Sequence, residues 1–568
     1  MKSQHTLNSC ILILNIMKKK LLAFLCLAFF TCYLQVNGQK LAAEKIVDIS
    51  GKANRGYIGN VVRNDQTREI VVTYVTKSTN SKVKFETYTF DYDLNLKSDI
   101  VDEIELSKAK SKYSWFKYKG DSYVVEGISA SPNLAGTFVI KKKQISYAWN
   151  WFLLKYKMSS KTLDKLKFEG ENGKNMFYIS HYENDTNGEI IALAGEKGNG
   201  GKNPYLQFQK YHIFRVNYGL EILSDLTIDL GSPHKLLYSA AVADEKNPDA
   251  EQADWVVVLA PMSGAGMGKF EAADPSQYTV LRISPDGKIV SQSKFTTKAH
   301  TWTVTGAMID GTKIYLYGPG FSKGHEKKFY DVTYFPNEND KFTDFQLARL
   351  NNTGADFVSV TSMEEFAAKT RKPDDQKKLS VYNGKRVDIR DLTIGSEGQI
   401  YIIAQDFKVD AQGDVRGLMY TDLYLFQFDQ KGTLLNSFGI DDNSRKGSII
   451  GGGLADARFY PSSSTIFESK DPSFIYWMQF VPHSTKCITE TSGIVKTIEC
   501  RPLKYPRVIK LDIAKGVFVK IEQYGNGEYF LNEDFPLIYI ENNEKIIFIG
   551  ETKTEKGLWI GKFDPSSL

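Results

Sequence analysis

The side chains of this chain best suited to acting together are Arg55, Tyr57, Tyr113, Trp115, His234, His300, Trp302, Arg386, Arg390, Arg458, Tyr460, Glu533 and Asp534, because each lies at the start of a strand that recurs along the sequence. An acid pair near arginines and a histidine is the equipment of glycan hydrolysis or lyase chemistry, in which one carboxyl moves a proton while another group stabilises the developing charge. Any ring of repeated units brings some titratable groups to its axis, so this convergence does not define a catalytic set by itself. Other reactions lack their parts: no cysteine nucleophile is expected.

Metal chemistry is equally unprovided for. His181, His212, His234, His300, His325 and His483 are scattered without a His-x-His or His-x3-His pair, and Asp410-Ala-Gln-Gly-Asp414 displaces the glycine of a calcium loop and lacks its closing glutamate. No metal and no other cofactor is expected. Cys487 and Cys500 flank a short polar stretch with Ser492-Gly493 at its centre, which reads as a disulfide-stapled hairpin in an oxidising compartment. The remaining cysteines, Cys10, Cys26 and Cys32, all precede Gly38.

The elements that would position these residues are strands. Trp255 to Pro261 is a buried apolar run, Tyr278 to Gly287 a second strand closed by a Pro-Asp-Gly turn, and Lys288 to Phe295 an alternating third. The same order recurs around the inner runs Glu69–Val75, Ser122–Glu126, Glu189–Ala194, Lys313–Tyr317, Gln399–Ala404, Phe474–Met478 and Lys545–Ile549. Each is followed by a strand ending at a turn, among them Tyr88–Asp93, Phe152–Tyr156, Leu423–Asp429 and Leu558–Asp564, and Asp or Asn recurs at these turns. Four strands per unit, repeated at intervals of about 53 to 86 residues, predict an all-β fold, an eight-bladed β-propeller. The alternative is seven blades, because the second unit is the least regular. The last unit stops after its third strand while Lys45-Ile-Val-Asp-Ile-Ser50 belongs to none, so the N-terminal strand is expected to complete the last blade.

On this pattern the chain resembles the β-propeller superfamily of secreted bacterial proteins over residues 39–568, read as a single domain. The resemblance implies a fold and no catalytic residues, since the Trp-Asp signature, the paired glycines of kelch repeats and the sialidase boxes are missing.

Loop lengths predict which end of the fold is used. Connections such as Asn64–Thr67, Asp310–Thr312 and Asp429–Gly432 are short, whereas Met262–Gln277, Phe321–Thr343, Glu364–Val387, Asp406–Tyr420, Asn443–Arg458 and Val481–Pro506 are long and alternate with them, so all the long ones emerge together. Tyr330, Tyr334 and Phe335 on these loops, with Trp115, His300, Trp302, Arg386, Arg390, Arg458 and Tyr460 at the channel mouth, are the candidate binding residues.

Met17-Lys-Lys-Lys and the apolar run after it read as a secretory signal peptide, so residues 1–38 are expected to be removed. Four lysines go with them, reducing 72 basic residues to 68 against 67 acidic ones, a net charge of +1 that offers nothing to nucleic acid. No later stretch is long and apolar enough to form a membrane span. The expected function is a non-enzymatic scaffold in the periplasm or at the outer surface of a Gram-negative bacterium, holding an envelope or outer-membrane protein, in an assembly that could serve secretion or motility. The alternative is a glycan-binding or polysaccharide-active protein with its site at the channel mouth.

Overall fold

The computed structural model describes residues 41–565 apart from 79–81, 106–114, 119–120, 129–136, 143–149, 158–161, 167, 171–172, 174–175, 185–188, 197–206, 218–219, 247–252, 262–276, 323–340, 386, 413–414, 443–458, 493–494, 526–528, 533, 542–543 and 553–556. Short apolar runs rich in Val, Ile, Tyr and Phe, punctuated by Asx and Gly turns, leave this chain little but strands to form. The one α-helix among the described residues is Met363–Lys369, whose first turn is capped by the Ser362 hydroxyl accepting from the Glu365 amide.

The strands fold into antiparallel meanders. The first is Tyr57–Asn64, Glu69–Ser78, Lys82–Asp91 and Leu96–Glu105. In the second, Trp115–Tyr118, Asp121–Ile128, Thr137–Lys142 and Asn150–Lys157 are followed by a fifth strand, Thr162–Leu166, on the outer edge. This corrects the sequence reading of that unit: Thr137–Lys142 is its third strand, and the run Phe152–Tyr156 forms the fourth. The next two meanders share a single seven-stranded sheet from Phe177–Asn184 to Ile289–Thr296, because the 21-residue strand Ile222–Val242 is the outer strand of one and the inner strand of the next. It turns between them at Gly231, which sits at φ +75° where only glycine is unstrained.

Further on, Gly306–Asp310, Lys313–Phe321, Asp344–Asn351 and Gly354–Ser362 form one meander, and Val387–Ile394, Ile400–Gln412, Val415–Phe428 and Leu434–Ile440 another. The final nine-stranded sheet contains Ser463–Glu468, Phe474–Ser492, Val495–Asp512 and Val517–Gln523, then Leu537–Ile540, Lys545–Thr552 and Gly557–Phe563, with Tyr529–Leu531 bridging the two groups. Ala43–Asp48 pairs antiparallel with Gly557–Phe563, in a register running from Ala43 opposite Lys562 to Asp48 opposite Gly557.

Side-chain alternation builds the core between sheets. In Lys313–Phe321, Ile314 and Leu316 point back to Val256 and Val258, while Tyr315 and Tyr317 point forward to Ile400 and Ile402. The device repeats: Tyr401, Ile403 and Leu425 meet Ile475, Trp477 and Ile509, and Tyr476 and Met478 meet Ile546, Phe548 and Trp559. Ile547, Ile549, Leu558 and Ile560 then meet Ile70, Val72 and Phe90 of the first meander. Inner strands covered on both faces are therefore apolar throughout; Glu189–Gly195 is buried at every position.

Candidate functional site

Two of the stretches expected as loops are extensions of the ladder. Ile400–Gln412 and Val415–Phe428 stay paired from Phe407 opposite Tyr420 out to Gln412 opposite Val415, and Phe474–Ser492 stays paired with Val495–Asp512 out to Ser492 opposite Val495. Each arm begins at a bulge, between Gln405 and Phe407 in the first and between Pro482 and Ser484 in the second. A bulge re-aims the side chains beside it. In the first arm it gathers a largely buried polar cluster around Asp406.

Asp406 is the residue skipped in that register. The Tyr424 hydroxyl donates to its Oδ2 at 2.9 Å, and its Oδ1 is sealed from solvent with no hydrogen-bond partner among the described residues. Burial, with the negative charge of Asp422 adding to it, pushes the Asp406 carboxyl up to about 7, against the pull of the Tyr424 bond and of Lys385 and Lys378. Lys378 donates to Asp422 Oδ2 at 2.9 Å and lies 3.9 Å from Asp441 Oδ1, so it ties the start of the third strand to the end of the fourth.

The connection from Lys372 to Lys385 lies over this cluster. Gly384, at φ +78°, lets it pass where a Cβ would stand 1.9 Å from the Phe342 carbonyl oxygen. Tyr382 is fully buried, its ring against Phe366, Tyr424 and Phe426 and its hydroxyl without a partner among the described residues. Beside the cluster, a second bulge between Ile389 and Asp391 turns Arg390 out of the ladder; it pairs with Asp388, and its guanidinium carbon sits 5.4 Å from the centre of the Tyr420 ring. Burial raises the carboxyls of Asp388 and Asp391 above their usual range; Arg390 counteracts part of this at Asp388.

This arrangement supplies a carboxylic acid that exchanges its proton near neutral pH, next to a fixed ion-pair network and a stacked arginine. Among the described residues no group of three His, Cys, Asp or Glu is placed to hold a metal ion. The sequence had marked Arg390 but not Asp406, Asp422, Tyr424 or Lys378. Asp406 precedes an alternating Phe-Lys-Val-Asp stretch, and that alternation is the signal that would have placed it at the base of a hairpin.

The other candidates fall out as follows. Trp302 is a packed core residue, 2% exposed, with its indole N–H donated to the Gly318 carbonyl and its ring against Tyr278 and Phe295; the expectation of a ligand-facing indole is corrected to a structural one. His300 is half-buried and donates its backbone amide to the Phe321 carbonyl, and Tyr460 is also half-buried. Trp115 opens its strand as expected. Tyr330, Tyr334, Phe335, Arg386, Arg458 and Glu533 lie outside the described residues. Cys487 and Cys500 stand directly opposite one another in the second arm.

No protein family matches the chain, and no curated protein does. Among solved structures the chain is similar to a dihydro-heme d1 dehydrogenase, NirN, in complex with DHE, at 7% identity and TM-score 0.27, covering 82% of this chain and 66% of that one. A lignostilbene dioxygenase from Pseudomonas brassicacearum matches over 93% of this chain and 91% of its own at 11% identity and TM-score 0.27, and the WD40 domain of SCAP from fission yeast over 93% and 99% at 10% and 0.24. At such TM-scores these likenesses carry no argument about activity, and the chain's all-β architecture of antiparallel sheets rests on its own hydrogen-bond ladders.

Proposed function

We propose that the chain is an exported eight-bladed β-propeller that works as a non-enzymatic scaffold, holding another protein of the cell envelope against its long-connection end. The observation that carries the reading is the one-sidedness of the meanders. Tight turns such as Ser284–Lys288, Gly395–Gln399 and Asp429–Thr433 alternate with long connections and two ladder-built arms. Loops and arms mounted on a rigid sheet framework are where recognition is usually placed. The ring reading is supported by apolar clusters that join successive meanders, including the last to the first, and by Ala43–Asp48 on Gly557–Phe563. Among the described residues no helix is long and apolar enough to cross a membrane. Affinity capture from envelope fractions is expected to recover a partner with the full chain and to lose it when residues 321–343 and the arm from Ser484 to Leu503 are each replaced by a short linker. Undiminished recovery from both variants, each shown to be folded, overturns the reading.

Within it, Cys487 and Cys500 form a disulfide across the second arm. Residues facing each other in an antiparallel ladder have Cα atoms about 4.5–5.5 Å apart, inside the range of about 4.4–6.8 Å that a disulfide spans. Closing so short a loop contributes about 3 kcal/mol in the chain-entropy view. Oxidised protein is therefore expected to resist trypsin at Lys486 and Lys496 by at least about tenfold over the Cys487→Ser variant. Equal cleavage rates, or a mass showing two free thiols in exported material, would remove the staple.

A further inference from the structure

On the perimeter lies a groove of about 710 Å³, away from the arms, walled by Thr296 and Lys298 on one side and by Lys431 to Leu434 on the other. Every residue from Ala355 to Thr361 lines it. Because successive side chains of a strand point to opposite faces, an unbroken run of lining residues means that the groove follows the strand's edge. That strand, Gly354–Ser362, pairs only with Asp344–Asn351 among the described residues, so its other edge presents free backbone N–H and C=O groups to the groove. Its faces are already committed: Val358 and Val360 pack toward the preceding sheet, and Phe357 and Ser359 lie against Gly432 of the following one.

The chain itself extends two other outer edges with a fifth strand, Thr162–Leu166 on Asn150–Lys157 and Thr370–Arg371 on Leu434–Ile440. Among the described residues the edge of Gly354–Ser362 has no such cover. Charge selects what would fit. The acids of the groove are satisfied, Asp356 by Arg349 at 3.1 Å and Glu365 by Lys369 at 2.8 Å, whereas Lys298 and Lys431 stand exposed on opposite walls with no carboxylate partner among the described residues.

We propose that this groove takes an extended acidic segment of a partner protein, which adds to Gly354–Ser362 as a fifth strand through its backbone and meets Lys298 and Lys431 with its carboxylates. Main-chain pairing supplies the affinity in this mode of recognition, and the flanking charges supply the preference. The proposal is independent of the long-connection end, since Gly354–Ser362, Lys298 and Lys431 lie outside the long loops and arms, and Glu365, already paired with Lys369, is the lining residue drawn from a long connection.

The test uses the chain without residues 1–38 and a fluorescein-labelled nonapeptide, Glu-Val-Thr-Val-Glu-Val-Thr-Val-Glu, followed by anisotropy. Binding is expected to weaken at least about tenfold in the Lys298→Glu, Lys431→Glu double variant, whose two changes are on exposed side chains, and to recover there when the peptide's glutamates are lysines. A peptide of the same charge with prolines at the two threonine positions is expected not to bind, because it cannot complete the ladder. Binding should persist when residues 321–343 are replaced, so failure of the scaffold reading leaves this outcome intact. Absence of binding up to about 1 mM, indifference to the lysine reversal, or equal binding of the proline peptide overturns the proposal.

Discussion

Removing residues 41–49 is expected to abolish cooperative unfolding of the whole chain. The strand they contain contributes six ladder pairs to Gly557–Phe563, the bond from the Trp559 indole to Glu44 at 2.7 Å, and the inward-facing Leu41, Val47 and Ile49. At about 1 kcal/mol for each half-buried aliphatic side chain and about 0.5–1 for each hydrogen bond, the loss is on the order of 5 kcal/mol or more. That is comparable to the entire stability of an ordinary domain. The damage extends further, because Gly557–Phe563, buried along its full length, becomes an uncovered apolar edge prone to pairing with other chains. Urea titration and light scattering should show an early, shallow transition with aggregation, and a synthetic peptide of residues 41–50 added in trans should restore the steep transition. A truncated chain with an unchanged urea midpoint would mean that the strand is ornamental. Gly561 gives a milder version: a Cβ there would stand 2.4 Å from Leu41, so Gly561→Val should loosen the same strand without deleting it.

The second large effect is a dependence of stability on pH that runs opposite to ordinary acid denaturation. Asp406 has its carboxyl lifted from 3.8 to about 7 in the folded chain, chiefly by burial. Between those two values the folded state holds a proton that the unfolded state has released, so stability falls as pH rises through the window and levels off above about 7. The lost contribution is on the order of 4 kcal/mol. Asp406→Asn retains an acceptor for the Tyr424 hydroxyl and cannot ionise. It is expected to match the parent protein near pH 4 and to exceed it by on the order of 4 kcal/mol at pH 8, read as a difference in urea midpoint at the two pH values. A parallel pH profile for the two proteins would show that Asp406 titrates as an ordinary surface carboxylate.

The strand repeat was legible because it is a local signal. Apolar runs such as Asp254–Pro261 and Lys545–Thr552 sit where hydrophobic patterning puts them, and the pairing of the N-terminal strand with the final meander follows from counting strands. The second meander was misread because aromatics concentrate at Tyr147–Phe152 and drew the third strand away from the plainer Thr137–Lys142. The helix Met363–Lys369 was passed over inside a supposed loop although Ser362-Met-Glu-Glu365 is a capping-box sequence. The polar cluster was beyond reach for a different reason. Asp406, Tyr424, Lys378 and Asp441 come from separate segments, and the ionisation of Asp406 depends on how completely those segments exclude water, which no spacing in the chain encodes.

The unbroken strand Ile222–Val242 has a mechanical corollary. Where two neighbouring modules are linked by a slack peptide they can tilt against each other, but here the two ladders overlap: His234 and Lys235 pair at once with Phe208 and Gln207 and with Pro261 and Ala260, and the stretch 230–233 pairs with neither side. A pull or twist applied to one module is passed to the other through these shared pairs, and bending between the two is confined to the four residues 230–233 that include Gly231.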